Sequence, residues 1–144
     1  MGLLKIAKVP PAEIEAGATV LDAVHAMAKG RVGAVAVMEN GELKGIFTER
    51  DLMLRVVQQE RNPRETKVRE VMTSPVSITH DKTPAVEAME LMLERHLRHL
   101  PVIGANGQLQ GMLSIRGLLQ DRVEDLHREL NSIDQYLLND GPGG

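Results

Sequence analysis

Two short groups of polar residues could contact a small anionic or hydroxylated ligand. Thr48 and Asp51 stand three residues apart, and Arg98 is followed directly by His99. Arg and His donors suit phosphate oxygens, Arg through its planar fork. Thr-x-x-Asp at a helix start is also an ordinary capping arrangement, and a basic pair before a strand is often a solvated surface group. The residue types alone leave both interpretations open.

The other titratable residues do not resemble a catalytic site. The five histidines are scattered along the chain: His25, His80, His96, His99 and His127. No His-Asp-Ser grouping and no glycine-rich phosphate loop is visible. His96 and His99 have a spacing that converges on a helix, but no third metal ligand is visible and the chain has no cysteine. We therefore expect no catalysis, no bound metal and no required cofactor.

Composition limits the partners of these groups. The 144 residues suffice for about one domain, and the 42% apolar content is that of a globular protein. The net charge is −3, and Phe47 and Tyr136 are the only aromatic residues. A chain with no basic surplus and no aromatic platform is a poor nucleic-acid binder.

Hydrophobic run lengths and the absence of cysteine indicate the cellular compartment of the protein. No apolar run approaches the roughly 18 residues of a membrane span, and the N-terminal residues have no signal-peptide pattern. The absence of cysteine fits a reducing compartment. We expect a soluble, cytoplasmic protein with no membrane partner.

The chain contains an internal repeat, and each of the two polar groups lies in a different copy. Residues 40–48 (NGELKGIFT) align with residues 106–114 (NGQLQGMLS) at an offset of 66, and upstream residues align at an offset of 65. The predicted division is a first repeat at 1–60, a connector at 61–69, a second repeat at 70–122, an amphipathic helix at 123–138 and a disordered tail at 139–144. A repeat of this size is too small to be stable alone, so the two should pack against each other.

Each repeat is predicted to form a β-α-β-β-α unit. Thr19 with Asp22 starts the first helix as a capping box, and Thr83 before Pro84 starts its equivalent as an N-cap with proline at N1. Apolar runs separated by Asn-Gly predict a hairpin in each repeat. The predicted strands are 34–38, 43–47, 100–103 and 109–113, with short extended pieces around Ile14 and at 76–78.

The sequence resembles the cystathionine β-synthase (CBS) domain pair, or Bateman module, over nearly its full length up to about residue 122. The motifs that carry the resemblance are 45–52 (GIFTERDL), 71–73 (VMT), 98–102 (RHLPV) and 111–116 (GMLSIR). The implied fold is α/β (α+β), with two repeats packed sheet to sheet about a pseudo-twofold axis. The implied function is regulatory and non-catalytic, with an adenine nucleotide bound between the repeats.

The resemblance implies a role for each polar group. Thr48 and Asp51 would meet the ribose hydroxyls, since a carboxylate can accept both hydrogen bonds of a vicinal diol. Arg98 and His99 would contact phosphate. The adenine would lie against the start of the second repeat, at Thr73, Pro75 and Val76. The expected ligand is AMP, ADP or ATP, or else S-adenosylmethionine or NAD.

A second, pseudo-symmetric cleft looks degraded. Its candidate residues are Ser114 and Arg116, but Gly117 stands where the first repeat has Asp51, and Val32 and Gly33 align with the basic pair. Losing a charge-assisted hydrogen-bond pair weakens binding by about ten- to a hundredfold. We therefore expect one competent site per chain.

The C-terminal residues carry an apolar stripe with heptad spacing: Val123, Leu126, Leu130, Ile133 and Leu137. This helix could pack on its own domain or pair across a homodimer, beside the disk-like association that the resemblance implies. With no effector domain in view, we expect the signal to pass to another protein. The alternative function is a structural adaptor that binds a protein partner and has vestigial clefts.

Overall fold

The computed structural model describes residues 2–139, which form two three-stranded sheets with helices. The first repeat contains β1 (Glu13–Glu15), α1 (Val20–Gly30), β2 (Ala34–Glu39), β3 (Glu42–Thr48) and α2 (Glu49–Asp51), which continues as a π-helix (Leu52–Val57). A short α3 (Val68–Val71) precedes the second repeat, which contains β4 (Thr79–His80), α4 (Ala85–Arg95), β5 (His99–Ile103), β6 (Leu109–Ser114) and α5 (Ile115–Asn139). The predicted β-α-β-β-α order is confirmed in both repeats.

The two sheets have the same topology. In each, the first strand pairs in parallel with the second, and the second pairs antiparallel with the third. Asn40 and Gly41 have positive φ angles of 52° and 77°, as a tight type I′ hairpin requires. The second hairpin has a longer loop, residues 104–108, between β5 and β6, and Gly104 N–H donates to the carbonyl of Gln108 across this loop.

Two local predictions for the second repeat are wrong. Thr83 does not cap α4: Pro84 is the N-cap residue and makes no side-chain cap, while the Thr83 hydroxyl accepts from the backbone of His80 at 3.4 Å. The expected strand at 76–78 lies instead at Thr79–His80, because these are the residues that pair with β5. By contrast, the predicted capping box of Thr19 and Asp22 is confirmed, with both hydrogen bonds at 3.1 Å.

Each repeat core receives a segment from outside its own β-α-β-β-α unit. Val68 and Val71 of α3 are buried in the core of the first repeat. Leu3, in a short 3₁₀-helix (Leu3–Lys5), is 1% exposed and belongs to the core of the second repeat. The two leading segments are therefore exchanged, so that each repeat is closed by residues that precede the other one.

A third apolar cluster joins the two sheets. Its buried members come from β2, β3 and β6, and they include Ala36, Ile46 and Met112. This packing confirms the expected contact of sheet with sheet.

Helix α5 is a continuous helix of 25 residues. Leu118 is buried in the second core, but the large apolar residues beyond it are exposed. No helix in the described part of the chain is long and apolar enough to cross a membrane. Of the tail predicted to be disordered at 139–144, residues 140–144 lie outside the described residues.

Candidate functional site

A cleft of about 800 Å³ lies between the two repeats and contains most of the predicted ligand-binding residues. This volume falls in the range usual for small-molecule sites. The first repeat contributes the junction of β3 with α2, including Thr48 and Asp51. The second contributes the turn between α4 and β5, including Arg98 and His99, and Thr73 also lines the cleft.

Asp51 is the most buried charged residue of this cleft, with 6% of its surface exposed. Its Oδ2 accepts from the backbone N–H of Thr48 at 3.0 Å and from the Thr48 hydroxyl at 3.2 Å. Its Oδ1 accepts from the Thr73 hydroxyl at 2.9 Å. The capping interpretation of Thr-x-x-Asp is therefore confirmed, and the same carboxylate also links the first repeat to the segment that leads into the second.

Arg55 is a cleft residue that the sequence analysis missed. Its Nε lies 3.6 Å from Asp51 Oδ1, and its guanidinium donates to the backbone carbonyl of Met72 at 2.8 Å. Arg55 lies in the π-helix from Leu52 to Val57, and such helices are frequent at functional sites. The i, i+4 spacing from Asp51 was the sequence signal that could have pointed to it.

His99 faces the cleft from the first residue of β5 and is half-buried. Burial lowers the pKa of His99 from its ordinary value of 6.5; the nearby Glu49 carboxylate opposes this shift, and Arg98 adds to it. The backbone of Gly33 leaves room for both side chains: a Cβ at this position would lie 2.9 Å from Glu49 Oε1 and 3.3 Å from His99 Cε1.

The lining is rich in cations. Four arginines and two acidic residues line it: Arg50, Arg55, Arg95, Arg98, Glu49 and Asp51. Arg95 is turned toward Ser77, to which it donates at 3.0 Å. A concave, partly desolvated surface with an excess of cations attracts anionic ligands. Among residues 2–139, no group of three or more His, Cys, Asp or Glu is placed to hold a metal ion.

Of the three residues predicted to contact adenine, only Thr73 lines the cleft. It is held there by an antiparallel bridge with Ile46. Val76 packs instead against the apolar cluster between the sheets, and Pro75 is exposed outside the lining. The apolar lining comes from Ile46, Met53, Leu54 and Leu97, which sequence reasoning did not single out.

The pseudo-symmetric position is occupied differently. Lys8 bridges to Met112 as Thr73 bridges to Ile46. Ser114 Oγ accepts from the backbone N–H of Gly117 at 3.0 Å. This bond is equivalent to half of the Thr48–Asp51 capping box, and the other half is absent because Gly117 has no carboxylate. A Cβ at Gly117 would lie 3.3 Å from the carbonyl oxygen of Ile6, so the N-terminal segment passes close to this helix start. Arg116 is exposed.

The duplicated fold and the polar cleft between its halves define a tandem module of two small α/β repeats. The CBS domain family model matches residues 5–58 and 68–134. The chain therefore belongs to the CBS domain family, as a pair of CBS domains.

Relatives with similar sequences support this assignment. The chain is 37% identical over 125 residues to the mitochondrial CBS domain-containing protein CBSX3 of Arabidopsis thaliana, covering 83% of this chain and 60% of that protein. It is 35% identical over 103 residues to an uncharacterized protein of Methanopyrus kandleri, covering 71% of this chain and 53% of that protein. The chain thus spans little more than half the length of these relatives.

Solved structures show the same fold. A CBS-domain-containing protein from Agrobacterium tumefaciens matches with a TM-score of 0.73 and 30% identity, covering 79% of this chain and 90% of that one. A CBS domain protein from Pyrobaculum aerophilum, complexed with AMP, matches with a TM-score of 0.72 and 29% identity, covering 81% and 89%.

Proposed function

We propose that this chain is a regulatory, non-catalytic module that binds an adenine nucleotide or a related adenosyl ligand in the cleft at Asp51. The observation that carries the proposal is the buried Asp51 carboxylate on one wall of a cleft whose other wall presents Arg98 and His99. The AMP complex of the Pyrobaculum aerophilum protein supports the ligand class.

Each part of the ligand has complementary groups in the cleft. The ribose diol would lie at Thr48 and Asp51, where a carboxylate can accept both hydroxyls. The phosphate would lie at Arg98 and His99, where the guanidinium supplies charged donors and the imidazole supplies a further N–H donor. The base would lie near Thr73, with the apolar lining around it.

Ligand binding would alter the contacts that join the repeats. A carboxylate offers about four acceptor positions, and Asp51 already receives three hydrogen bonds and lies near Arg55. About one acceptor position is free, so a ribose diol that donates both hydroxyls would displace one of these bonds, and displacing the bond from Thr73 would release the segment that leads into the second repeat. Because Thr73 leads into the second repeat, ligand occupancy would bias how the repeats are held together, to the extent that its affinity differs between the two arrangements.

We further propose one competent site per chain. At the pseudo-symmetric position, Gly117 provides no carboxylate and Lys8 stands where the first cleft has Thr73. The division into repeats at 1–60 and 70–122, joined by 61–69 and followed by the helix at 123–138, is part of the same proposal, as are cytoplasmic location, homodimerisation and an effector protein that receives the signal.

A thermal-denaturation panel with AMP, ADP, ATP, NAD and S-adenosylmethionine tests this function at fixed protein concentration. Ligand at a hundred times its dissociation constant stabilises by about 2.7 kcal/mol, which raises the midpoint by roughly 5–10 °C for a chain of this size. We expect a rise with at least one ligand in the natural protein and in Asp22→Ala, and none in Asp51→Ala. A flat panel would favour the adaptor function, in which truncation after Gln120 abolishes partner binding.

A further inference from the structure

Helix α5 carries a stripe of large apolar side chains that its own domain leaves uncovered. The stripe residues are 43–60% exposed: Leu119, Val123, Leu126, Leu130, Ile133 and Leu137. Leu118 beside them is 1% exposed, so the domain covers the helix only at its start. Contiguous exposed apolar surface of this kind marks an interaction site.

The spacing of the stripe is that of a coiled coil. Successive members are separated by four, three, four, three and four residues, which places Val123, Leu130 and Leu137 at heptad position a and the other three at position d. This repeat keeps the stripe facing one partner helix along 18 residues, or about 27 Å at 1.5 Å per residue.

We propose that the stripe binds the same stripe of a second copy of this chain, with the two helices antiparallel. The spacing is symmetric about residue 128, so an antiparallel pair can align all six members. Leu119 would face Leu137 of the partner subunit, Val123 would face Ile133 of the partner subunit, and Leu126 would face Leu130 of the partner subunit. The partner helix would then end close to where the body of the domain begins.

The flanking charges favour the antiparallel orientation. In a parallel pair, Glu129 at position g would lie beside Asp134 of the partner subunit at both sides of the coil, and Arg122 would lie beside His127 of the partner subunit. In the antiparallel pair, Asp134 lies beside the partner's Gln120, and Arg122 lies beside the partner's Tyr136, which permits a cation–π contact. The single acidic pair that remains is Glu129 with its own equivalent at the twofold axis.

The size of the stripe sets the expected affinity. At roughly 60–120 Å² for each buried side chain, six side chains cover about 500 Å² per chain. Stable interfaces of standard size bury about 800 Å² per partner. The helix pair should therefore associate reversibly, with a dissociation constant in the micromolar range, unless another face of the domain adds to it.

Sedimentation velocity of the full chain over a concentration series tests this proposal. Leu130→Glu introduces a charge at the centre of the stripe, and Ser132→Glu introduces the same charge on an exposed position beside it. We expect Leu130→Glu to halve the mass of the largest assembly and Ser132→Glu to leave it unchanged, with equal helical circular dichroism. Equal masses for the two folded variants would overturn the proposal.

Cysteine pairing decides the orientation, and it uses substitutions that leave the stripe nearly intact. The natural chain has no cysteine, so each introduced thiol is unique. Mixing Leu119→Cys with Leu137→Cys should give a mixed disulfide dimer under mild oxidation, whereas Leu137→Cys alone should give none. A disulfide dimer from Leu137→Cys alone, or no disulfide in the mixture, would refute the antiparallel pair even if Leu130→Glu failed to fold.

Discussion

The hydrogen bond from Thr73 to Asp51 ties the segment that leads into the second repeat to the first repeat, and Thr73→Val tests its contribution. Valine keeps the shape of threonine and replaces the hydroxyl with a methyl group. The bond is 2.9 Å long and its acceptor is a buried carboxylate. Hydrogen bonds to charged groups contribute about 1.5–3 kcal/mol. We therefore expect the free energy of unfolding to fall by about 1.5–3 kcal/mol.

Urea denaturation measures this change. With an m value of about 1–3 kcal/mol/M, the midpoint should fall by roughly 1 M, with the slope unchanged. Ser74→Ala is the matched control, because the neighbouring hydroxyl also reaches the first repeat, at 2.9 Å, but its acceptor is the neutral carbonyl of Lys44 in an exposed setting. Its effect should be about 1 kcal/mol or less.

A double-mutant cycle isolates the bond itself. In an Asp51→Asn background the acceptor is no longer charged, so Thr73→Val should lose most of its effect. Equal losses in the two backgrounds, or a Thr73→Val effect no larger than that of Ser74→Ala, would refute the view that Asp51 holds the repeats together.

Three further predictions follow from the packing and the titratable groups. Leu3→Ala should lower the free energy of unfolding by about 2–5 kcal/mol, since Leu3 fills the core of the second repeat; a calorimetric melt unchanged from the natural protein would contradict the exchanged leading segments. Burial lowers the pKa of His99, so as pH drops the unfolded chain takes up this proton before the folded chain does, and stability should fall from about pH 6.5 through the lowered pKa. Urea midpoints measured against pH should show a smaller fall for His99→Asn than for the natural protein. Identical pH profiles for the two proteins would show that His99 does not cause the fall. Asp51→Ala should be more destabilising than Asp22→Ala in the same urea assay, because Asp51 also accepts from Thr73; the reverse order would be inconsistent with the structure.

The features of this fold that could be predicted from sequence are those that depend on short sequence motifs or on the internal repeat. The capping box at Thr19, the hairpin at Asn40-Gly41 and the internal offset of 66 each have a short-range physical cause. The Thr48–Asp51 pair was found by the same logic. Its capping role is confirmed, while its ribose-binding role remains a proposal.

The parts that could not be predicted depend on contacts between distant segments. The exchange of Leu3 and Val68 between the repeats leaves no trace in local periodicity, although both lie at equivalent positions, 65 residues apart. Thr83 precedes a proline and is a residue type that often caps helices, but its hydroxyl accepts a hydrogen bond from the backbone of His80 in the turn after β4 instead. The sequence predicts Val76 in the cleft, but its side chain packs against the apolar cluster between the sheets.

The central claim is that one adenosyl ligand binds per chain, at Asp51. Calorimetric titration of the ligand that gives the largest thermal shift tests it most directly, using the natural protein, Asp51→Asn and Ser114→Ala. We expect a stoichiometry of one per chain in the natural protein, no measurable binding in Asp51→Asn, and unchanged binding in Ser114→Ala, which alters the pseudo-symmetric position. Binding that survives Asp51→Asn, or that is lost in Ser114→Ala, would contradict the assignment.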